Sequence, residues 1–338
     1  MQSSDFSGAL FPIKSMYVYK KANIFSFKIE TDEDNTSFSM QIVLGRVDTQ
    51  VLVTKTAEDG TAYKTMESCI TINWGDGNIE YKHDFNDNTP SHVYEKAGEY
   101  TITTVCTMPY IQYSDGIKAY MTEVLTPFPR LKTDLEYGSQ MSFSDCVKLK
   151  KVCTGVYRNI FDRLYVSGRT FENCVMLEEI PLDVFAGNES ELRTAQAMFK
   201  NCPKIKSVPD GYFDKYVNVT NYMECFSGDT GLESVPNDIF YNADITGYLS
   251  FNDTFRGCIS LAKIPEQMFN TNAQSAALYN CFNGCANMAG SAPHWWEIYG
   301  MSGAMCFAGC ISLENYEDIP LRAGHESEDG PKYGNWKG

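Results

Sequence analysis

From residue 17 to residue 107 apolar and polar residues alternate in short runs, FSFKIET, FSMQIVLG, QVLVTKT, CITINWGDG and EYTITTVC, parted by Gly, Asp and Asn. A period of two turns successive side chains to opposite faces of an extended strand, so the pattern predicts an antiparallel β-sandwich. Further along the period changes. The phrase Phe-x-x-Cys-x-x-Leu-x-x-Ile-Pro recurs seven times with variations, led by Phe143, Phe171, Phe199, Phe226, Phe255, Phe282 and Phe307 at spacings of 25–29 residues. A fixed period of that size marks a stacked array in which each unit buries its apolar edge against its neighbours. Four segments are predicted: an N-terminal arm (1–16), a sandwich (17–107), a connector (108–127) and a repeat array with its caps (128–338).

Inside the repeats, residues at fixed offsets form rows. Cys146, Cys174, Cys202, Cys258, Cys285 and Cys310 sit three after the leading phenylalanine, with Asp229 in that slot of the fourth unit. A second row, one residue before the phenylalanine, includes Cys225, Cys281 and Cys306. Small residues of weak polarity at one slot read as buried thiols, because free cysteine packs as a small hydrophobe. Rungs about 4.8 Å apart also fall in the Cα range of a disulfide, so bridging between units stays open on geometry. A further row lies eight residues after the leucine slot: Tyr157, Phe185, Phe213, Phe240, Phe269 and Trp296. It places Trp296 in the core and leaves Trp295 facing outward as a possible exposed contact. The polar run 322–330 is expected to end the array, and six gaps of about 4.8 Å give it a length on the order of 30 Å.

Composition narrows the function. The 338 residues carry a formal charge of -15, a balance that repels phosphate backbones and speaks against nucleic acid as a partner. No run approaches the roughly 18 apolar residues of a membrane-spanning helix, so no membrane insertion is expected. The four histidines show no paired spacing with cysteine, which disfavours zinc. The loop with Asp84, Asn86, Asp87 and Asn88 crowds oxygen donors as calcium sites do, but turns favour the same residues and no acidic residue closes an EF-hand pattern. It remains a weak calcium candidate, and no metal or cofactor is expected. No Gly-rich phosphate loop, nucleophile elbow or metal-ligand pair is visible, so the chain is not expected to be an enzyme.

ITINWGDGNIEYKHDF followed by SHVYEKAGEYTITTV, within Ile70–Val105, resembles the paired motifs of PKD (polycystic kidney disease) domains. The resemblance implies a spacer or adhesion module with Trp74 in its core, a tight turn at Asp76-Gly77, and His92 as a structural residue. The repeats, with VTNYMECF at 219–226 and AQAMFKNC at 195–202, resemble BspA-like leucine-rich repeats. Together these give an expected α+β fold, a PKD-like antiparallel β-sandwich followed by a leucine-rich-repeat solenoid of about seven units. The combination is similar to surface proteins of Bacteroidetes and to virion proteins of their phages. The first residues lack a basic region followed by an apolar run, which favours assembly without export.

The expectation is a non-enzymatic structural or adhesion protein on the virion surface, a capsid decoration or fibre component. The alternative is a bacterial cell-surface adhesin binding a host protein or glycan. Phe6, Leu10, Phe11 and Ile13 make the arm apolar and suggest that it docks the N-terminal end on other virion or surface proteins, leaving the repeats to meet a host surface protein or glycan.

Overall fold

The computed structural model describes residues 24–43, 50–56, 60–68, 70–82, 89–105, 108–109, 111, 115–129, 142–158, 168–187, 189–244, 246–273, 275–321 and 335–338. Its strands are β1 (Ile24–Thr31), β2 (Thr36–Ser39), β3 (Ile42–Val43), β4 (Gln50–Thr56), β5 (Ala62–Ser68), β6 (Ile70–Asn73), β7 (Ile79–Lys82), β8 (Ser91–Tyr94), β9 (Gly98–Val105) and β10 (Met108–Pro109). The helix α1 (Asp115–Tyr120), then β11 (Met121–Val124), β12 (Lys151–Val152), β13 (Leu249–Ser250), β14 (Ala276–Ala277) and β15 (Met301–Ser302) complete the order.

A six-stranded sheet runs β12-β11-β1-β9-β6-β7, antiparallel except between β11 and β12. Strand β1 pairs with β9 along its whole length, from Ile24 opposite Val105 to Thr31 opposite Gly98. Its alternation puts Phe25, Phe27 and Ile29 on the buried face, where β2 contributes Phe38, edge-on to Trp74 at 6.1 Å and to Tyr94 at 6.2 Å. Among the described residues the expected sandwich of two full sheets does not form. Besides the large sheet there are, among these residues, three two-stranded ladders, β2–β8, β3–β10 and β4–β5, of four, two and seven residues per strand, and β3–β10 carries Pro109, which cannot donate to a ladder.

Strand β11 lies within the stretch expected to connect two domains. It pairs with β1 on one side and with β12 of the first repeat on the other, Glu123 opposite Lys151 and Val124 opposite Val152. The aromatic core follows the same path. Phe25 stacks on Phe128 at 5.2 Å and Phe128 on Phe143 at 5.6 Å. The leading phenylalanines then stack ring on ring, with centroids 5.6 Å apart from Phe143 to Phe255, 5.3 Å between Phe255 and Phe282, and 5.8 Å between Phe282 and Phe307. Trp336 closes the column 6.3 Å beyond Phe307 and is fully buried. The leucine slot, Leu149, Leu177, Ile205, Leu232, Leu261, Met288 and Leu313, is buried throughout.

The expected α+β class and the leucine-rich-repeat solenoid are both corrected by this architecture. Regular structure among the described residues is mostly strand with very little helix, in several small sheets of which none closes, and no leucine-rich-repeat solenoid is evident among them. Among the described residues there is one α-helix, of six residues. The physical reason lies in the repeat phrase. Two residues before the phenylalanine, Arg169, Ala197, Glu224, Asp253, Asn280 and Met305 take positive φ. Two residues after it, Asp145, Asn173, Asn201, Gly228, Gly257, Gly284 and Gly309 do the same. Left-handed residues on both sides of the phenylalanine break extended backbone, so the units pass as turns. Among the described residues of the repeats, parallel strands of two residues form at β12 and at β13, β14 and β15, with isolated parallel bridges such as Thr194 with Asn221 and Ser207 with Ser234 between other units.

Candidate interaction surface

The left-handed slot after the phenylalanine is filled by Asp, Asn or Gly, the residue types that tolerate that conformation. In the first three units its side chains form a ladder: Asn173 Nδ2 donates to Asp145 Oδ1 at 2.7 Å and Asn201 Nδ2 to Asn173 Oδ1 at 2.8 Å. From the fourth unit glycine takes over, and a Cβ on Gly228 would stand 2.2 Å from Asn201 Oδ1. This turn points the next residue, cysteine, inward. Cys174, Cys202, Cys258, Cys285 and Cys310 each donate Sγ–H to the phenylalanine carbonyl of the preceding unit at 3.0–3.1 Å. The ten described cysteines are free thiols. Burial pushes Cys146 and Cys310 up to about 12.

The residue after the cysteine is turned outward. Val147, Val175, Ile259 and Ile311 occupy that slot and are 42%, 37%, 47% and 70% exposed, with Pro203, Thr230 and Ala286 in the remaining units. The row is held in place from its flank: Ser260 Oγ donates to Thr230 O at 2.6 Å and Ser312 Oγ to Ala286 O at 2.8 Å, while a Cβ on Gly231 would stand 2.1 Å from Pro203 O. β-Branched aliphatic residues recurring at one exposed slot are a surface feature that folding does not demand. The signal is visible in the sequence as FSDCV, FENCV, FRGCI and FAGCI, a β-branched aliphatic after each cysteine. Exposed tyrosines at Tyr248, Tyr279 and Tyr299 add aromatic contact area among the later units.

The predicted site residues fare differently. The arm residues Phe6, Leu10, Phe11 and Ile13 and the calcium candidates Asp84, Asn86, Asp87 and Asn88 lie outside the described residues. Trp295, expected to face outward, is buried. It sits 5.4 Å from Phe269 and 6.2 Å from both Phe282 and Phe307, so it takes the slot assigned to its neighbour. Trp296 is buried as well, 4.8 Å from His294 and 6.3 Å from Trp336. The cause is the 3-10 turn Trp295–Glu297, which follows Pro293 and advances the register by one, sending consecutive indoles into two different parts of the core.

In the N-terminal sheet His92 Nε2 lies 2.6 Å from Asp76 Oδ2, its ring stacked 5.2 Å over Trp74. Tyr94 donates its hydroxyl to Trp74 O at 2.8 Å. Burial raises the Asp76 carboxyl, but the Asn78 amides and His92 outweigh it and hold the group below its ordinary value. Asp76 also takes the Asn78 backbone amide at 3.0 Å, so the pair pins the β6–β7 turn. No group of three or more His, Cys, Asp or Glu arranged to hold a metal occurs among the described residues. Comparison of the chain with protein-family models, with curated proteins and with solved structures finds no match.

Proposed function

We infer that the protein works by contact, as a structural or adhesion component that presents the row Val147, Val175, Ile259 and Ile311 to a protein partner. The observation that supports this is the exposure of aliphatic side chains at one recurring slot of a framework whose phenylalanine, cysteine and leucine slots are spent on packing. The complementary partner carries an apolar strip that meets this row. The assignment to a phage virion is a proposal from the sequence motifs.

Immunogold labelling with antibody raised against the purified chain separates the settings. Labelled particles purified from the source culture are expected. Labelled cell surfaces with unlabelled particles would replace the virion by a cell-surface adhesin, and neither would defeat both. The contact surface has its own test in Val147→Ser, Val175→Ser, Ile259→Ser and Ile311→Ser combined. The melting temperature should move little because the row is solvated, and attachment to particles or cells should be lost. Attachment at the wild-type level would reject the row.

A further inference from the structure

Asp229 occupies the cysteine slot of the fourth unit, and its side chain is fully buried. In every other unit the amide at this slot returns to the phenylalanine carbonyl three residues back, at 3.0–3.2 Å where the fourth unit's own Asp229 N–H is included. The third unit differs. Cys202 N–H donates to Asp229 Oδ1 instead, at 2.6 Å, while Asp229 Oδ2 is buried with no hydrogen-bond partner. Along the row each thiol donates to the phenylalanine carbonyl one unit earlier, Cys202 to Phe171, Cys258 to Phe226 and Cys285 to Phe255. By that spacing the acceptor assigned to residue 229 is Phe199 O.

An ionised carboxylate has no proton to give and would leave a charge and a carbonyl unpaired in the core. A neutral carboxyl supplies the missing donor. The titratable groups facing Asp229 are thiols: Cys202 in the unit before, Cys225 in its own unit and Cys258 in the unit after. Burial pushes each of them well above the ordinary range, so none offers a positive charge or competes for the proton.

We propose that Asp229 is a protonated hydrogen-bond donor to Phe199 O, and that this makes the junction of the third and fourth units a pH-sensitive rung, closed in acid and prone to open as the medium turns alkaline. Burial drives the carboxyl well above its ordinary range, against the weaker pull of the Cys202 amide. A raised folded-state value means that the stabilising contribution is fully present below the unfolded carboxylate value of about 3.9 and is lost as pH rises toward the folded value.

Asp229→Asn keeps the acceptor for the Cys202 amide and adds a permanent N–H donor, and Asp229→Cys restores the row. In the full chain, amide exchange of residues 199–232 should quicken relative to the rest as pH rises from acid through neutral to alkaline, after correction for intrinsic exchange. That excess should be absent in Asp229→Asn. Infrared spectra at neutral pH should show a protonated-carboxyl C=O stretch in the wild type that both variants lack. Should Asp229→Asn fail to fold, Asp229→Cys carries the same comparison. Equal pH dependence in wild type and variant, or no protonated-carboxyl band, would overturn the proposal.

Discussion

Trp295 and Phe199 are both enclosed by aromatic neighbours, Trp295 by Phe269, Phe282 and Phe307 and Phe199 by Phe171, Phe226 and Tyr212. Truncation to alanine leaves a cavity at either site, so Phe199→Ala and Trp295→Ala should each cost about 3–5 kcal/mol in denaturant unfolding. A cost under about 1 kcal/mol for Trp295→Ala would return that indole to the surface. The thiols carry a second test at this scale. Thiolate is the reactive form, burial raises all the shifted thiols, and Cys153 is pushed up only to about 11 while lying partly exposed. Among the ten described cysteines, alkylation of the native protein followed by peptide mass spectrometry should modify Cys153 first. Prior modification of the Cys174, Cys202 or Cys258 row would show that the row is open to solvent.

The turn on either side of each leading phenylalanine governs the elements. Adding a Cβ at Gly257, whose φ is +75°, forces a left-handed alanine, so Gly257→Ala should cost about 1–2 kcal/mol, whereas Asn201→Gly keeps the backbone and gives up only a ladder bond. Matching losses for the two would mean that the turn conformation is not what selects Asp, Asn and Gly there. The same slots explain how far the sequence could be read. Its period gave the position of every leading phenylalanine and leucine-slot core residue, because burial repeats with the phrase. The departure from the expected solenoid is not legible in the sequence because Arg169, Ala197, Glu224 and Met305 hold positive φ without belonging to the residue types that announce it. Trp296 is core as its offset from Met288 implies, whereas Trp295 is core too because Pro293 and the 3-10 turn after it shift the register by one. Of the surface row, each residue was visible in sequence, but its exposure follows only from the turn that points the cysteine inward.

For the whole molecule, one core passes from β1 through Phe128 into the repeats and ends at Trp336, with β11 shared between the two parts. A carbon at the Cβ position of Gly303 would stand 2.3 Å from the Trp336 ring, so the last unit is shaped to receive this indole. Trp336→Ala should therefore speed amide exchange at residues 301–313 more than at residues 199–208. The most direct measurement of a single continuous core is scanning calorimetry of the full chain beside Phe128→Ala. The wild type is expected to unfold in one transition whose calorimetric and van't Hoff enthalpies agree, and Phe128→Ala to split it or lower that agreement. Two separate transitions in the wild type, unaffected in spacing by Phe128→Ala, would contradict the shared core and leave the N-terminal sheet and the repeats as independent bodies.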